Sequence, residues 1–221
     1  MIKPIIFGAT GMIGQAVVQE CIKTPEIEKI LLINRRPGQI NHPKVKEIIH
    51  TDFTDFSSLI NQFSEYNACF FCLGISAIGL SEEEYYKTTY EITIKAAEAI
   101  KNTGKEFTFC YISGAGTDSS EKGSMMWARV KGKVENKLLS MFEKAYMFRP
   151  GYIQPLKGIK SRTKFYNLFY ILFKPFYFML KSFKSIVTDT SSFGKAMIKV
   201  AAEGYSKRII ESKDINRLGN A

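Results

Sequence analysis

Short apolar runs alternate with segments of helical period along most of the chain. The apolar runs predict buried strands at residues 2–7, 29–34, 45–49, 68–73, 107–112 and 145–148. Apolar residues that recur every three or four positions predict helices at residues 12–24, 56–64, 82–102, 124–142 and 191–203, before a last short strand at 208–210. Continuous apolar strands alternating with helices are typical of a parallel sheet covered on both faces. We therefore expect an α/β domain with a doubly wound parallel sheet, whose ligand crevice lies at the carboxyl ends of the strands.

The first predicted strand runs directly into three glycines spaced three residues apart, Gly8, Gly11 and Gly14. Glycine allows a tight turn and lets the backbone approach a diphosphate closely. The helix that follows directs free N–H groups and the positive end of its dipole at the same anion. This stretch predicts a dinucleotide site whose diphosphate contacts are Gly8, Thr10, Gly11, Met12, Ile13 and Gly14.

The end of the second predicted strand carries the residues that we expect to select the nucleotide. An acid about 20 residues beyond the glycines commonly binds the ribose 2′-hydroxyl of NAD. Here that position is Asn34, followed by Arg35 and Arg36. No carboxylate at this position repels a 2′-phosphate, and two guanidinium groups can bind one through paired hydrogen bonds. The pattern favours NADP(H) over NAD(H), with a solvated basic turn as the alternative.

Two further strand ends are candidates for nucleotide contacts. Asp52 and Phe53 follow the third strand, where a carboxylate could accept from the adenine amine and a ring could flank the base. A surface loop is the equally open alternative for these two residues. Leu73 and Gly74 end the fourth strand and would let the backbone approach the ribose of the adenosine.

Cys69 and Cys72 have the spacing of a metal or redox motif, but they fall within a predicted strand. Residues three apart in a strand face opposite sides of the sheet. The chain has four cysteines in all, and no second pair has this spacing. We therefore expect buried thiols that pack as small apolar groups, and no metal site.

Charge is unevenly distributed along the 221 residues. The formal net charge is +10, and residues 151–221 hold 13 of the 31 basic side chains but only 4 of the 21 acidic ones. Within this part, residues 164–183 are nearly half Phe and Tyr, with Lys interspersed. The central Lys174 costs about 2.5–3.5 kcal/mol in a bilayer, and Pro175 interrupts a helix, so we exclude a transmembrane helix here.

Two interpretations of the basic aromatic stretch remain open. In one, a helical segment at residues 156–188 covers the substrate crevice. In the other, the aromatic face lies in the membrane interface while the lysines contact anionic lipid. Nucleic acid is an unfavoured partner because the stretch is too apolar to be mostly exposed. Because no secretory signal is visible, we expect a cytoplasmic protein. We also expect a small-molecule substrate, and the oligomeric state stays open.

Taken together, these residues resemble the atypical short-chain dehydrogenase/reductase family, in its Tat-interacting-protein-like and epimerase-like branch. The resemblance covers about two-thirds of the chain and rests on the glycine motif, Leu73-Gly74, the stretches 113–116 and 130–135, and Phe148-Arg149-Pro150-Gly151. It implies a Rossmann fold with residues 1–155 as the dinucleotide-binding core. A small C-terminal helical lobe at 156–188 and a closing helix and strand at 189–221 would complete the domain. Pro150 and Gly151 would be further cofactor contacts.

The resemblance also implies a catalytic set, from which this chain departs at one position. Ser113 would polarise the substrate carbonyl, and Lys131 would hold the nicotinamide ribose. The proton-transferring tyrosine would stand four residues before Lys131, where this chain has Trp127. Indole only donates a hydrogen bond and does not titrate near neutrality, so it cannot act as the general acid–base. Tyr86, Tyr90, Tyr152 and a bound water are the alternative proton donors, and of these we favour Tyr90 and Tyr152.

Two functions therefore remain open. The first is an NADP(H)-dependent oxidoreductase or epimerase-like enzyme that acts on an apolar carbonyl or hydroxyl substrate and takes its proton from another group. The second is a catalytically silent NADP(H)-binding redox sensor or scaffold, in which Ser113 and Lys131 would serve only as cofactor contacts.

Overall fold

The computed structural model describes residues 1–38, 40–156 and 186–220. Its main sheet contains seven parallel strands in the order β3-β2-β1-β4-β5-β6-β9. These strands are β1 (Pro4–Phe7), β2 (Ile30–Asn34), β3 (Val45–Ile49), β4 (Ala68–Phe71), β5 (Thr108–Ile112), β6 (Ala145–Arg149) and, last along the chain, β9 (Ile209–Glu211). The order reverses direction at β1, so a ligand crevice is expected at the carboxyl ends of β1 and β4.

Helices cover both faces of this sheet. They are α1 (Met12–Lys23), α2 (Ile60–Phe63), α3 (Glu82–Tyr86), α4 (Ile92–Lys101), α5 (Met126–Met141), α6 (Thr190–Glu203) and α7 (Ser212–Gly219). A π-helical turn at Lys87–Glu91 joins α3 to α4. Buried residues of α1, α6 and α7 pack on one face, and those of α2, α4 and α5 pack on the other. The predicted doubly wound parallel sheet is therefore confirmed.

The strands are apolar throughout because each side chain meets one of these two helical layers. Phe7 and Phe71, for example, lie with ring centroids 5.2 Å apart on the α4 and α5 side, and Ile6 and Phe70 face the α1 and α6 side. Full burial of one such side chain contributes about 1.5–3 kcal/mol. The core therefore fixes the strand ends, and with them the loops that carry the site.

The C-terminal part differs from the prediction in two ways, the first of which is an additional small sheet. β7 (Tyr152–Gln154) and β8 (Val187–Asp189) form a separate two-stranded parallel sheet. Residues 187–188, which the sequence assigns to a helical segment, are therefore strand. The reason is the cap of α6, since Asp189 accepts hydrogen bonds from the N–H groups of Ser191 and Ser192 and itself stays extended.

The other difference is α7, which the sequence pattern does not predict because three of its buried residues are polar, Ser212, Asp214 and Asn216. The basic aromatic stretch at 164–183 and most of the predicted lobe at 156–188 lie outside the described residues. Within the described ranges, no helix is long and apolar enough to cross a membrane.

Candidate functional site

A crevice of about 300 Å³ opens at the carboxyl ends of β1 and β2. Several strand ends and the glycine turn line it through Gly8, Thr10, Ile33, Asn34, Arg35, Arg36, Phe53 and Leu73. All of these except Ile33 are residues for which the sequence predicts a nucleotide contact. Stretches that are distant along the chain thus come together in one concave place, as a binding site requires.

Gly8 and Gly14 are packed so closely that neither has room for a side chain. Gly8 has φ +76°, and a Cβ there would lie 2.6 Å from the backbone nitrogen of Leu73. A Cβ on Gly14 would lie 2.1 Å from the carbonyl oxygen of Gly8, whereas one on Gly11 would lie 3.3 Å from that oxygen. The first and third glycines are therefore obligatory for this turn, and the second is less constrained.

The amino end of α1 has free backbone donors beside this turn. No side chain caps the helix, and its first turn holds no acidic residue. The Gly11 N–H donates to the Gly8 carbonyl at 2.9 Å, and Gln15 Nε2 donates to the Thr10 carbonyl at 3.0 Å, which together fix the turn. The N–H groups of Met12 and Ile13 then lie where a helix dipole favours an anion. The bare turn and these donors fit the diphosphate of a dinucleotide.

Arg35 and Arg36 stand exposed at the mouth of the crevice. The guanidinium carbon of Arg35 lies 5.9 Å from the centroid of the Phe53 ring, within the range of a cation–π contact. Phe53 is itself buried against Phe56, with ring centroids 5.3 Å apart. One arginine is therefore steadied by an aromatic ring in a position where phosphate can reach it.

A carboxylate does lie beside Asn34, and this corrects the expectation that none is present. Glu47 Oε1, on β3, accepts from Asn34 Nδ2 at 2.6 Å and from the Gly38 N–H at 2.8 Å. Sequence reasoning missed Glu47 because it reaches Asn34 only through the pairing of β2 with β3, in which Leu32 lies opposite Glu47. The signal in the sequence was an acidic residue, Glu47, within the otherwise largely apolar third strand.

Asp52 is exposed and does not line the crevice, in contrast to Phe53. The Oδ1 of Asp52 accepts two hydrogen bonds from Thr54, one from the N–H at 2.9 Å and one from the hydroxyl at 2.5 Å. These bonds close a tight turn and lower the pKa of the Asp52 carboxyl. Asp52 thus has the contacts of a surface loop, and its adenine contact stays a prediction. Leu73 reaches the crevice, and Gly74 follows it with open space around its Cα.

The hydroxyl of Ser113 is turned into the core, and its role towards a substrate carbonyl stays a prediction. Ser113 is 5 % exposed. Its Oγ donates to Glu135 Oε1 at 2.5 Å and lies 3.2 Å from the Phe148 carbonyl oxygen. The hydroxyl therefore donates its hydrogen bond to a carboxylate and not to a substrate carbonyl. In this arrangement the side chain joins β5 to α5 and does not present a donor to the crevice.

Glu135 is a buried charge that sequence reasoning did not single out. Its carboxylate is fully buried and pairs with Arg149 through two hydrogen bonds, Nε to Oε1 at 3.0 Å and Nη2 to Oε2. Arg149 Nη2 also donates to Ser119 Oγ at 2.6 Å. Glu135 stands four residues after Lys131 and so shares its face of α5, a spacing that could have drawn attention to it.

Lys131 lies on α5, and its side chain reaches the residue that follows β5. Its Nζ donates to the carbonyl oxygen of Ser113. Burial lowers the pKa of Lys131 to about 8, an effect that the negative charge of Glu135 partly opposes. An amine with a pKa near neutrality can hold or release a proton at ordinary pH, which suits a general acid–base.

Trp127 packs its indole on the turn that follows β5. A Cβ on Gly116 would lie 3.6 Å from the indole, and one on Gly114 would lie 3.9 Å from it. Both glycines have positive φ, +85° and +155°. Trp127 shares a face of α5 with Lys131. The indole thus covers this turn on the side of the helix where the family resemblance places a tyrosine.

The contacts of Tyr90 are those of a packing residue. Its ring stacks on Tyr86 with centroids 4.7 Å apart and planes 17° apart. Desolvation raises the pKa of Tyr90, and Tyr86 and Glu121 add to the effect. A raised pKa keeps the phenol protonated near neutrality, and the role of Tyr90 as proton donor stays a prediction. Tyr152 donates its hydroxyl to Gln154 Oε1 at 2.8 Å, and its catalytic role stays a prediction.

Pro150 and Gly151 join the turn after β5 to the C-terminal elements. The Pro150 carbonyl accepts from the Ala115 N–H at 2.8 Å, and the Gly151 N–H donates to Ser212 Oγ at 2.8 Å. A Cβ on Gly151 would lie 2.4 Å from the carbonyl oxygen of Ile186. These are structural contacts, and binding of the cofactor by this pair stays a prediction.

Cys69 and Cys72 belong to opposite faces of the sheet. Cys69 lies in the core cluster with α4 and α5, whereas Cys72 packs on the cluster with α1 and α6. Burial raises the pKa of both thiols, so neither is an activated nucleophile. In the part of the chain that the structure describes, no group of three His, Cys, Asp or Glu side chains could hold a metal ion.

The seven-stranded sheet, the bare glycine turn and the crevice beside it define a dinucleotide-binding protein of the α/β class. The chain belongs to the NAD dependent epimerase/dehydratase family, whose model matches residues 5–122. This match begins in β1 and extends to the loop before α5, and so covers every residue that lines the crevice. It establishes the NAD(P)-binding fold and leaves the choice between the two nucleotides open.

Similar proteins are found both among curated sequences and among solved structures. Two curated relatives are "Protein fmp52-2, mitochondrial" of Neosartorya fischeri, 26% identical over 73% of this chain and 71% of that protein, and "Protein HTATIP2" of Rattus norvegicus, 27% identical over 66% and 60%. Among solved structures, a UDP-N-acetylglucosamine 4-epimerase from Bacillus cereus matches with a TM-score of 0.67 at 15% identity, over 95% of this chain and 78% of that one. The resemblance to the atypical short-chain family is confirmed, and at such identity the structural match shows the fold alone.

The expectation of a cytoplasmic location is wrong. Relatives from Neosartorya fischeri, Aspergillus clavatus and Candida albicans are named as mitochondrial proteins. The expectation rested only on the lack of a visible secretory signal, and the pattern of strands, helices and site residues carries no information on the compartment.

Proposed function

We propose that this protein is an NADP(H)-dependent oxidoreductase that acts on a small carbonyl or hydroxyl substrate. The observation that carries the proposal is the crevice, in which a glycine turn with no room for side chains adjoins Arg35 and Arg36. Family membership supports nucleotide binding, and the two guanidinium groups support the phosphorylated form of the nucleotide.

Each part of the crevice has a role in this proposal. Gly8 and Gly14 let the backbone approach the diphosphate, and the free N–H groups at the start of α1 bind it. Arg35 and Arg36 bind the 2′-phosphate. The nicotinamide would supply or accept a hydride when bound. Lys131, whose side chain reaches the residue that follows β5, then lies on the side of the sheet where the family resemblance puts the reacting groups.

Lys131 is our candidate for the proton transfer that Trp127 cannot perform. Its Nζ is anchored by one hydrogen bond to the Ser113 carbonyl, and an ammonium group has three protons to donate. Its pKa of about 8 keeps it mostly protonated at neutral pH and lets it release a proton without a large cost. The contact of Ser113 supports this choice, since its hydroxyl already donates to the buried carboxylate of Glu135.

A second candidate function is a catalytically silent NADP(H)-binding sensor. It is favoured by one specific observation, that Trp127 covers the turn after β5 while the Ser113 hydroxyl serves a buried carboxylate. In that case Lys131 would have no proton to transfer and would only support the turn.

We also propose an apolar substrate and a contact with a membrane surface. Ile75 and Ile78, in the loop after β4, are exposed large apolar residues near the carboxyl ends of the strands. They support an apolar substrate. The lysines and aromatic residues in the sequence from 157 to 185 support contact with an anionic membrane surface.

Calorimetric titration of the purified protein with NADPH and NADH tests the proposal. We expect micromolar binding of NADPH and at least about tenfold weaker binding of NADH. The double variant Arg35→Ala/Arg36→Ala should lose this preference and keep its affinity for NADH, whereas Lys46→Ala, an exposed lysine on the neighbouring strand, should change neither. Equal affinities in the unaltered protein would refute the NADP(H) assignment.

The same preparation separates the enzyme from the sensor. Consumption of NADPH with a panel of carbonyl compounds, lost on substitution Lys131→Met while NADPH still binds, would support the enzyme. Tight NADPH binding with no turnover across the panel would favour the sensor.

A further inference from the structure

One carboxylate oxygen bridges the two ends of the segment from Asn34 to Gly38, at the start of the loop between β2 and β3. Glu47 Oε1 accepts from Asn34 Nδ2 at 2.6 Å, at the start of this segment, and from the Gly38 N–H at 2.8 Å, at its end. Arg35 and Arg36 lie between these two points. Glu47 therefore shapes the segment that presents both arginines to the crevice.

This contact also determines which way the Asn34 amide points. A carboxylate only accepts hydrogen bonds, so the atom that Asn34 offers to Glu47 must be the NH₂ group. The remaining polar atom, Oδ1, is an acceptor, and Asn34 lines the crevice. Asn34 is only 4 % exposed, so its amide has little freedom to turn over. An acceptor suits a ribose hydroxyl and repels a phosphate.

One turn thus combines two opposing preferences. Two guanidinium groups attract a 2′-phosphate, while the Asn34 oxygen and the Glu47 negative charge behind it favour a hydroxyl. In the Rossmann fold the end of the second strand is the place where the ribose 2′ position is bound. The charge of Glu47 is half-buried and is therefore less screened than a fully exposed one.

We propose that Glu47 is a specificity-determining residue that restrains the preference for NADP(H), so that the site keeps affinity for NAD(H). The inference rests on the proposed nucleotide-binding function and deepens it, because it assigns the selection to a residue outside the second strand. Removal of the charge should raise the affinity for the phosphorylated nucleotide and leave the affinity for the other unchanged.

The variant Glu47→Gln tests this directly. Glutamine has the same shape and keeps an acceptor oxygen for the Gly38 N–H, and it removes only the charge and the obligation of Asn34 to donate. We expect affinity for NADPH to rise by about threefold to tenfold, affinity for NADH to change by less than about twofold, and the gain to shrink in high salt. Glu106→Gln, an equal loss of charge at a side chain that is 85 % exposed, should leave both affinities unchanged.

Two results would overturn the proposal. A Glu47→Gln protein that binds both nucleotides as the unaltered protein does, or loses affinity for both equally, would make Glu47 a clamp on the turn and nothing more. Glu47→Ala removes both hydrogen bonds of the clamp. If Glu47 were only a clamp, this variant should weaken the binding of both nucleotides equally. If the unaltered protein binds neither nucleotide, the proposed function itself fails, and the result cannot be confused with a lack of discrimination in the variant.

Discussion

The Ser113 hydroxyl donates to the buried carboxylate of Glu135 across 2.5 Å. This bond joins the end of β5 to α5 inside the protein. The same carboxylate is held by Arg149 at the end of β6, so three elements meet at one fully buried charge. A residue type that the family resemblance assigns to the substrate is thus used to satisfy a charge in the core.

Ser113→Ala is therefore expected to affect stability and not nucleotide binding. The change removes one donor from a buried carboxylate, which should lower the free energy of unfolding by about 1–3 kcal/mol. Chemical denaturation measures the loss, and calorimetry with NADPH should show an affinity within about twofold of the unaltered protein. Ser140→Ala, at an exposed serine of α5, is the matched control and should change neither quantity. A large loss of affinity at full stability would restore Ser113 to the cofactor site.

The ion pair of Glu135 with Arg149 gives the second prediction. Either Glu135→Leu or Arg149→Met should lower the free energy of unfolding by about 3–5 kcal/mol, because each leaves a buried charge without its partner. The double variant Glu135→Leu/Arg149→Met should cost less than the sum of the single changes, since it leaves no unpaired charge. Strict additivity in a double-mutant cycle measured by urea unfolding would show that the two side chains are not coupled.

The parts of the site that could be predicted from the sequence are those that depend on a local pattern. Gly8, Arg35 and Arg36 lie directly after strands that are plainly apolar, and Gly14 lies in the first turn of the helix that follows, so their place at the carboxyl edge follows from the order of the elements. Phe53 reached the same crevice for that reason. The position of such residues can be predicted from the alternation of strands and helices alone, which is visible in the sequence.

The parts that could not be predicted depend on contacts between elements. Glu47 meets Asn34 only because β3 pairs beside β2 in one register, and Glu135 meets Ser113 only across a helix and sheet interface. The direction of a side chain at a strand end decides between crevice and core, and Ser113 takes the core. No spacing along the chain carries that information.

The glycine turn provides a graded series of variants. Gly14→Ala would place a Cβ 2.1 Å from the Gly8 carbonyl oxygen, and Gly11→Ala would place one 3.3 Å from it. We expect Gly14→Ala to abolish NADPH binding and to destabilise the fold by about 1–3 kcal/mol, as overpacked positions do. Gly11→Ala is the matched control and should retain the fold, as followed by thermal unfolding. If the two variants proved equally stable, α1 would not sit against Gly8 as described.

The pH dependence of stability tests the environment of Lys131. Burial lowers the pKa of Lys131 to about 8 in the folded protein, below the value of about 10.4 in an unfolded chain. Below pH 8 the folded protein carries the full cost of a buried ammonium. Between pH 8 and about 10.4 the unfolded state binds more protons, so this cost is relieved as the pH rises.

Lys131→Met should therefore be more stable than the unaltered protein at pH 7, and the advantage should decline steadily from pH 8 towards pH 10. Differential scanning calorimetry of both proteins across this range measures the difference, in which groups common to both cancel. Lys133→Met, at the neighbouring lysine on another face of α5, should show no such dependence on pH. A constant difference between the two proteins would mean that Lys131 has an ordinary pKa.

Trp127 separates the two candidate functions. In an otherwise intact active site, Trp127→Tyr would place a titratable hydroxyl on the helix face of Lys131, whose positive charge favours the ionised phenol. We expect consumption of NADPH with a carbonyl panel to rise by at least about tenfold, since a positioned acid–base group commonly contributes about 10²–10⁴-fold. Trp127→Phe has the same ring without the hydroxyl and should show no gain, although both variants relieve the packing on Gly114 and Gly116. Equal gains would point to the opened space and not to the hydroxyl. If Trp127→Tyr binds NADPH fully and still shows no turnover, the missing tyrosine is not what keeps the site silent, and the sensor becomes the better account.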